Sequence, residues 1–370
     1  MKNKCICCAS SEIVELKSFS NLPRVSSDSK PFRSGGRIGR CNACGLVQKF
    51  IDRKFMDEIT EIYGAYDMYD GDTTDQPIFI NGKELTRSKI LVGELAAKYT
   101  LPEYGRLLEI GAGKGAFLEE FSKYFPNWKL NSLEYDDKYI NLLKRNQNFE
   151  KNYTNIDDIN EVKFDLIVAI HTIEHILDPI GNIKKAKKML KDDGKMFFQV
   201  PDVANSPFDI IIADHVSHFN RQSLKQLLTR AGLHSEVQIV IPKEITAYCG
   251  GGIDDRLIIG NDFDIVQNLN YLHRIMNLIK NYSKDYELGI YGTTIAANWL
   301  SNLDRAISFY VEDDLTKVGK TLHEKKIRAT EDLPVGAHVF LPFSNSTNNA
   351  IIKKLANIIQ AKNIKVIPLD

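Results

Sequence analysis

Residues 106–115 read Arg-Leu-Leu-Glu-Ile-Gly-Ala-Gly-Lys-Gly, an apolar run that ends in three glycines at alternate positions. Glycines allow a backbone to turn sharply and to approach a ligand closely. The spacing G-x-G-x-G departs from the G-x-G-x-x-G of a dinucleotide fingerprint, and the acidic Glu109 ahead of the turn would repel a pyrophosphate. Glu109 can instead accept hydrogen bonds from the cationic amino-acid end of a sulfonium cofactor, which favours S-adenosylmethionine.

A second acidic residue supports the same cofactor. Glu134 lies 25 residues beyond Glu109, at the end of the next apolar run, residues 130–134. An acidic residue at the corresponding place in nucleotide-binding folds accepts hydrogen bonds from ribose hydroxyls. We therefore expect Glu134 to bind the ribose of the cofactor.

Short apolar runs alternate with helical patterns around this turn. The runs lie at residues 107–110, 130–134 and 164–170. Strands separated by helices indicate a parallel, doubly wound sheet, whose ligands bind at the carboxyl ends of the strands. The predicted fold class is therefore α/β, with a central Rossmann-like sheet.

These segments resemble the class I S-adenosylmethionine-dependent methyltransferases. The resemblance rests on LLEIGAGKGAFLEEF (107–121), SLEY (132–135), FDLIVAIHTIEHILDP (164–179) and GKMFFQVPD (194–202). It implies that the methionine moiety of the cofactor is surrounded by Glu109, Gly111, Gly113 and Gly115, and that Glu134 binds the ribose. It also implies that Asp157, in the stretch Asn-Ile-Asp-Asp, lies near the adenine.

Five of the six cysteines fall within the first 44 residues. Cys5 and Cys8 form one C-x-x-C pair, and Cys41 and Cys44 form a second. Two such pairs predict a structural Zn²⁺ ion held by four thiolates, with no open position for catalysis. Cys7 is then a spare thiol. A redox or purely structural thiol cluster is the alternative interpretation.

The overall composition is that of a globular protein. The 370 residues include 48 Lys and Arg against 48 Asp and Glu, so a long-range field for nucleic acid is not expected. The apolar runs are shorter than the roughly 18–20 residues of a membrane span, and residues 1–8 lack the apolar region of a signal peptide. These features predict a cytoplasmic protein without membrane partners.

A narrower resemblance covers nearly the whole chain. The module that ends in CNACGLVQ (41–48), placed before the core, and a small Rossmann-like region after the core are similar to the three-domain sugar C-methyltransferases. That family implies a nucleotide-linked deoxysugar as acceptor and a C-terminal domain that helps to hold the nucleotide of this acceptor. The alternative interpretation, equally weighted, is that the C-terminal domain serves only for packing. The predicted divisions are a zinc-binding module (1–55), a helical bridge (56–104), the methyltransferase core (105–240), a connecting segment and helix (241–285) and a C-terminal Rossmann-like domain (286–370).

The stretch His-Thr-Ile-Glu-His, residues 171–175, supplies candidate bases. Methyl transfer is an in-line displacement, so the protein must align donor and acceptor and accept a proton from the acceptor. Histidine suits this task because its reference pKa of about 6.5 leaves it largely neutral at cell pH. By resemblance, His175 lies in the acceptor pocket and His171 packs near the cofactor. A hydrogen-bonded structural role is the alternative for each.

A second candidate pair is Asp214 and His215. The stretch Ile-Ala-Asp-His-Val-Ser-His-Phe, residues 212–219, resembles the family's Tyr-x-Glu-His-x-x-Tyr-Phe. It predicts His215 as a general base whose imidazole is oriented by the adjacent Asp214. Both tyrosines of the family are replaced, and Cys-Gly-Gly-Gly-Ile-Asp (249–254) lacks the histidine and arginine of its His-Gly-Gly-Ser-x-Arg. These departures leave O- or N-methylation open beside C-methylation.

The first 55 residues are locally basic, with eleven Lys and Arg against four Asp and Glu. This excess fits either a solvated surface or contact with a phosphate-bearing substrate or nucleic acid. The predicted function is methyl transfer to a sugar or nucleotide-linked sugar in carbohydrate biosynthesis, with a histidine base. An rRNA or tRNA methyltransferase with a zinc module is the alternative, although HTIEH replaces the (Asp/Asn)-Pro-Pro-aromatic motif of exocyclic-amine enzymes. A non-enzymatic zinc scaffold is the third hypothesis, and no oligomeric state follows from the sequence.

Overall fold

The computed structural model describes residues 4–66, 75–80, 83–135, 137–250, 263–303, 307–343 and 345–367. Residues 251–254 of the motif that begins at Cys249 lie outside this part of the chain. The described strands form five sheets. Three of them have four, seven and six strands, and the other two are two-stranded hairpins.

The described residues among the first hundred form small antiparallel sheets and two α-helices. Asp52 and Thr86 cap the two helices by accepting hydrogen bonds from the backbone N–H groups of Phe55 and Lys89. The elements are β1 (Ile13–Glu15), β2 (Arg24–Val25), β3 (Pro31–Phe32), β4 (Ile38–Cys41), β5 (Val47–Lys49), α1 (Arg53–Gly64), β6 (Pro77–Ile80), β7 (Lys83–Thr86) and α2 (Arg87–Lys98).

A seven-stranded sheet follows. The elements of this part of the chain are β8 (Arg106–Ile110), α3 (Ala116–Tyr124), β9 (Lys129–Leu133), α4 (Ile140–Leu143), β10 (Phe149–Tyr153), β11 (Phe164–Ile170), α5 (Pro179–Lys188), β12 (Leu190–Pro201), β13 (Ser217–His218), α6 (Arg221–Arg230), β14 (Ser235–Gln238) and β15 (Glu244–Cys249). All of these strands except β13 belong to the seven-stranded sheet. The strand order is β10-β9-β8-β11-β12-β15-β14, with β15 antiparallel to both neighbours. The predicted α/β fold with a mostly parallel sheet is confirmed.

The order of this sheet defines the ligand-binding edge. The chain runs outward from β8 through β9 to β10 and then returns to β11 on the other side of β8. Ligands of open α/β sheets bind at such a switch point, outside the carboxyl ends of the strands. β11 is largely buried and continuously apolar after Asp165, as expected of a central parallel strand.

The C-terminal region forms a second parallel sheet, with order β18-β19-β17-β16-β20-β21, in which β18 is antiparallel. Its elements are α7 (Ile265–Tyr282), β16 (Leu288–Tyr291), α8 (Ile295–Ser301), β17 (Phe309–Val311), β18 (Thr321–Leu322), β19 (Lys325–Arg328), β20 (His338–Phe340), α9 (Asn345–Lys354), α10 (Ala356–Ala361) and β21 (Lys365–Ile367). Trp299 of α8 is fully buried and donates a hydrogen bond to the backbone oxygen of Pro23, so this sheet packs on the N-terminal module.

One short strand links the central region to the N-terminal module. β13 pairs antiparallel with β5, Ser217 opposite Gln48 and His218 opposite Val47, and extends the sheet to β1-β4-β5-β13. The sequence of residues 209–212 is typical of a strand, but residues 209–211 belong to a 3₁₀ turn, Pro207–Ile211. Its first residue is a proline, which favours a turn start. Among the described residues no helix is both long and apolar enough to cross a membrane.

Candidate active site

The glycine turn after β8 packs against the segment that follows β11. Gly111, Gly113 and Gly115 have φ angles of 77°, 51° and 80°. This left-handed region is costly for residues with a side chain. A Cβ at Gly111 would collide with the side chain of Thr172, and a Cβ at Gly115 would lie 2.5 Å from Cδ2 of Leu143. Gly111 and Gly115 therefore permit close packing at the switch point, whereas a Cβ at Gly113 would meet no atom within 4 Å.

Glu109 is the buried acid of this turn. It is 3 % exposed, and its Oε2 has no hydrogen-bond partner among the described residues. Burial raises the pKa of Glu109 well above its usual range, and the negative charge of Glu134 adds to the effect. A buried, unsatisfied carboxyl fits the ammonium group of an amino-acid ligand, because that cation would restore the charge and supply the missing donors.

Glu134 follows β9 at the same edge of the sheet. Its carboxylate accepts a hydrogen bond from the backbone N–H of Gly113. The side chain is thus directed to the glycine turn, 21 residues before it in the chain. The structure brings Glu109, Glu134 and the three glycines together at the switch point.

Asp157 lies apart from this group of residues. It belongs to a 3₁₀ turn, Ile156–Asp158, after β10, and its exposed carboxylate forms an ion pair of 2.7 Å with Lys185 of α5. An exposed pair of this kind contributes little to stability. Its role near the adenine remains a prediction.

His171 lies between two carboxylates. Its Nδ1 is 3.4 Å from Oε1 of Glu174, and its Nε2 is 3.2 Å from Oε2 of Glu244. Glu244 also pairs with Arg87 at 2.7 Å and accepts a hydrogen bond from Gln199. Burial lowers the pKa of His171, but the two carboxylates outweigh it and raise the pKa overall. His171 is thus a member of a charged network beside the cofactor turn.

His175 lies near Asp214 and Tyr63. Its Nδ1 is 3.2 Å from the hydroxyl of Tyr63 and 3.4 Å from Oδ2 of Asp214. Burial alone would lower the pKa of His175, but the hydrogen bond and charge of Asp214 raise it to about 9. The imidazole is therefore protonated at neutral pH. Tyr63 comes from α1, so the N-terminal part of the chain supplies one of the contacts of His175.

A serine of the N-terminal module anchors Asp214. The side chain of Asp214 is fully buried and accepts hydrogen bonds from the backbone N–H of Ser27 at 2.8 Å and from its hydroxyl at 2.5 Å. Although burial opposes ionisation, the neighbouring His175 holds the pKa of Asp214 far below its usual range. Residues distant in the chain thus build one ion pair.

His215 is oriented by Asp209 and not by its neighbour Asp214. Nδ1 of His215 lies 2.7 Å from Oδ1 of Asp209, and Nδ1 of His218 lies 2.8 Å from Oδ2 of the same carboxylate. The ring of His215 stands at 89° to that of His175, with the centroids 4.6 Å apart. The structure therefore brings together the predicted residues His175, Asp214 and His215. The carboxylate of Asp214, however, pairs with His175 and not with His215.

The shared Asp209 determines the proton positions on two imidazoles. An ionised carboxylate only accepts hydrogen bonds, so Nδ1 of His215 and Nδ1 of His218 both carry hydrogen. Burial and the charge of Lys49 lower the pKa of His218 to about 4, so that ring is neutral at pH 7. For a neutral His215, the remaining Nε2 is the basic nitrogen. Asp209 has no sequence signal beyond being an acid six residues before His215.

The four cysteines of the two C-x-x-C pairs form one cluster. Their Sγ atoms all lie within 4.8 Å of one another, with Cys5–Cys44 and Cys8–Cys41 each at 3.5 Å. Four sulfurs tetrahedrally bound at about 2.3 Å to zinc would lie about 3.8 Å apart. Cys7 is also buried but is not part of this set.

Comparison with known proteins identifies the class of the central region. Residues 85–236 match a family model described as a methyltransferase domain. A ubiquinone biosynthesis O-methyltransferase of Coxiella burnetii (strain RSA 493 / Nine Mile phase I) is 25% identical over 185 residues, 45% of this chain and 74% of the relative. One of Actinobacillus pleuropneumoniae serotype 7 (strain AP76) is 23% identical over 158 residues, 39% of this chain and 63% of the relative.

Solved structures of methyltransferases are also similar. A SAM-dependent methyltransferase from Aquifex aeolicus has 16% identity and a TM-score of 0.38, over 43% of this chain and 88% of that one. The mitomycin 7-O-methyltransferase MmcR has 15% identity and a TM-score of 0.38, over 44% of this chain and 53% of that one. The family match identifies residues 85–236 as a methyltransferase domain. The chain is an S-adenosylmethionine-dependent methyltransferase.

Proposed function

We propose that this enzyme transfers a methyl group from S-adenosylmethionine to a sugar or nucleotide-linked sugar, with His215 as the general base. The observation that carries the proposal is the pairing of His215 with Asp209 next to a protonated His175. The rings of His215 and His175, with centroids 4.6 Å apart, would provide a proton acceptor and a cation at one place.

S-adenosylmethionine supplies an electrophilic methyl group on a positively charged sulfur. The ammonium of the cofactor would be held by Glu109, its ribose by Glu134 and, by resemblance, its adenine near Asp157. Nε2 of His215 accepts the proton of the acceptor hydroxyl, amine or acidified carbon as the new bond forms. The imidazolium of His175 stabilises negative charge that develops on an acceptor oxygen, and Asp214 keeps it protonated.

We also propose that Cys5, Cys8, Cys41 and Cys44 hold a structural zinc ion. The four-sulfur cluster and its spacing support this assignment. Without a cation, the Cys44 sulfur and burial raise the pKa of the Cys5 thiol well above its usual range. A divalent cation reverses that effect, because it stabilises thiolates. Four thiolate ligands give the ion a structural role.

The C-terminal sheet supplies the proposed site for a nucleotide. Gly292, with φ of 84°, follows β16, and Glu312 follows β17 at the same edge of the sheet. The carboxylate of Glu312 already accepts hydrogen bonds from the backbone N–H and hydroxyl of Thr293. This arrangement is compatible with nucleotide binding and equally with a domain that serves for packing.

The test is transfer of isotope label from S-adenosylmethionine into two separate pools, nucleotide-sugars and RNA. We expect label in the nucleotide-sugar pool, with the acceptor identified by its mass. A His215→Ala variant should lose transfer and keep its affinity for S-adenosylhomocysteine. Label in RNA alone would refute the sugar acceptor, and full activity of His215→Ala would assign the base elsewhere.

A further inference from the structure

The N-terminal module contains a cavity of about 210 Å³ outside the catalytic cluster. It lies between the loop before β4, the end of β5 and the start of α1. Its charged lining residues are Arg24, Arg37, Lys49, Lys54, Asp52 and Glu58. Four cationic side chains therefore line the cavity against two acidic ones.

Of the two carboxylates of the cavity, Glu58 is closely paired, whereas the partner of Asp52, Arg37, bonds at 2.8 Å to Glu15. Glu58 accepts two hydrogen bonds from the guanidinium of Arg24, at 2.7 and 2.9 Å, and both side chains are buried. Asp52 lies 3.7 Å from Arg37. Lys54 forms no ion pair with a described residue, so Lys49 and Lys54 are the cations that a bound anion would meet.

Lys49 is 1 % exposed, and its ammonium group donates a hydrogen bond to the backbone oxygen of Ile210 at 2.8 Å. An ammonium group has three hydrogens to donate. Ile210 directly follows Asp209, the residue that orients His215. The cavity is therefore directly connected to the catalytic cluster through one hydrogen bond.

Burial and the charge of Arg24 lower the pKa of Lys49 to about 7. Asp209, Asp214 and Glu58 act in the opposite direction, and His218 is a further titratable neighbour. An anion placed in the cavity would favour the charged ammonium. Binding of an anion above pH 7 should therefore be accompanied by proton uptake.

Two glycines allow the backbone to approach these cations. Gly35 and Gly36 have φ angles of 113° and 77°. A Cβ at Gly36 would lie 2.7 Å from Nη1 of Arg24, and a Cβ at Gly35 would lie 3.3 Å from Nζ of Lys54. Side chains at these positions would crowd both cations, so the glycine pair keeps the cavity accessible.

We propose that this cavity binds a phosphate group of the methyl acceptor, which then extends from the N-terminal module to His215. The proposal rests on the proposed function and assigns an anionic group to its acceptor. Because Arg24 and Lys49 are buried, the cavity suits the compact phosphate of a small molecule better than the continuous backbone of a nucleic acid.

The test is calorimetric titration of the full-length chain with inorganic pyrophosphate, uridine diphosphate and a short RNA. Lys54→Ala should weaken the binding of pyrophosphate and uridine diphosphate by about tenfold, as expected for loss of a charge-assisted contact. Arg53→Ala is the matched control, because Arg53 is the preceding residue, is 96% exposed and does not line the cavity. Lys49→Met should abolish the proton uptake at pH 8, measured in two buffers of different ionisation enthalpy.

Affinity for S-adenosylhomocysteine separates this inference from the proposed function. Variants that no longer bind pyrophosphate and uridine diphosphate but still bind S-adenosylhomocysteine support the assignment of the cavity as a phosphate site. Binding of S-adenosylhomocysteine without either diphosphate overturns it and leaves methyl transfer intact. Binding of pyrophosphate but not uridine diphosphate overturns the link to the acceptor. The proposal is also overturned if Lys54→Ala and Arg53→Ala weaken RNA binding equally, because that result indicates a diffuse basic surface.

Discussion

Oδ1 of Asp209 lies 2.7 Å from Nδ1 of His215, six residues further along the chain. Both side chains are almost completely buried. Burial alone would raise the pKa of Asp209, but its interactions with His218 and His215, which both bond to its carboxylate, hold the pKa far below its usual range. Asp209 is therefore an ionised residue that positions His215, the proposed base.

Replacement of Asp209 by Asn should lower kcat by about 100-fold, because the amide no longer fixes which nitrogen of His215 is protonated. The pH profile of kcat should also shift, whereas affinity for S-adenosylhomocysteine should stay unchanged. Asp202→Asn is the control, since Asp202 is a buried carboxylate that bonds to Asn205. Equal losses in both variants would indicate a structural effect on the loop.

Replacement of Asp214 by Asn should move the pKa of His175 from about 9 towards its ordinary 6.5, as measured by NMR titration. The raised pKa of His175 stabilises the fold fully below pH 6.5, and this contribution is lost as the pH rises through about 9. The difference in Tm between wild type and Asp214→Asn should therefore shrink between pH 6 and pH 10. Ser27→Ala removes a hydrogen bond without removing charge, so its Tm difference should vary little with pH. Parallel curves for the two variants would exclude the ion pair.

Replacement of Glu109 by Gln should raise the Tm of the cofactor-free protein at pH 8 while weakening binding of S-adenosylhomocysteine. The raised pKa of Glu109 means that the folded state binds a proton more tightly than the unfolded state. Stability is therefore lost as the pH rises above the unfolded value of 4.5. Glu134→Gln should weaken binding without this stabilisation. A lower Tm for Glu109→Gln would show that the buried carboxyl has a partner in the free protein.

Replacement of Cys41 by Ser should remove one zinc ion per chain, measured by elemental analysis, and should lower the Tm. Cys7→Ser is the matched control, because Cys7 is also buried and lies between Cys5 and Cys8 but outside the four-sulfur cluster. It should keep the wild-type metal content. Wild-type protein without zinc, purified under reducing conditions, would instead favour a thiol cluster.

The sequence predicts the central sheet and the cofactor turn because their signals are local. Glu109 lies near the end of one apolar run and Glu134 is the last residue of the next, and parallel strands bring the ends of such runs to one edge. The partners of the histidines depend on tertiary contacts. Because Asp214 is adjacent to His215 in the sequence, it is the expected hydrogen-bond partner of that imidazole. In the structure Asp214 instead bonds to Ser27, 187 residues away, and Asp209 is the partner of His215. No periodicity connects those positions.

The pairing of β13 with β5 has a consequence for how this enzyme could be divided or recombined. The strand that carries His218 is the edge of a sheet whose β4 ends in Cys41, so the cysteine-bearing module and the histidine cluster share backbone hydrogen bonds. Deletion of residues 1–50 would remove that partner strand from the catalytic loop. Chimaeras that exchange N-terminal modules between related enzymes must therefore preserve the register of this pairing to retain turnover.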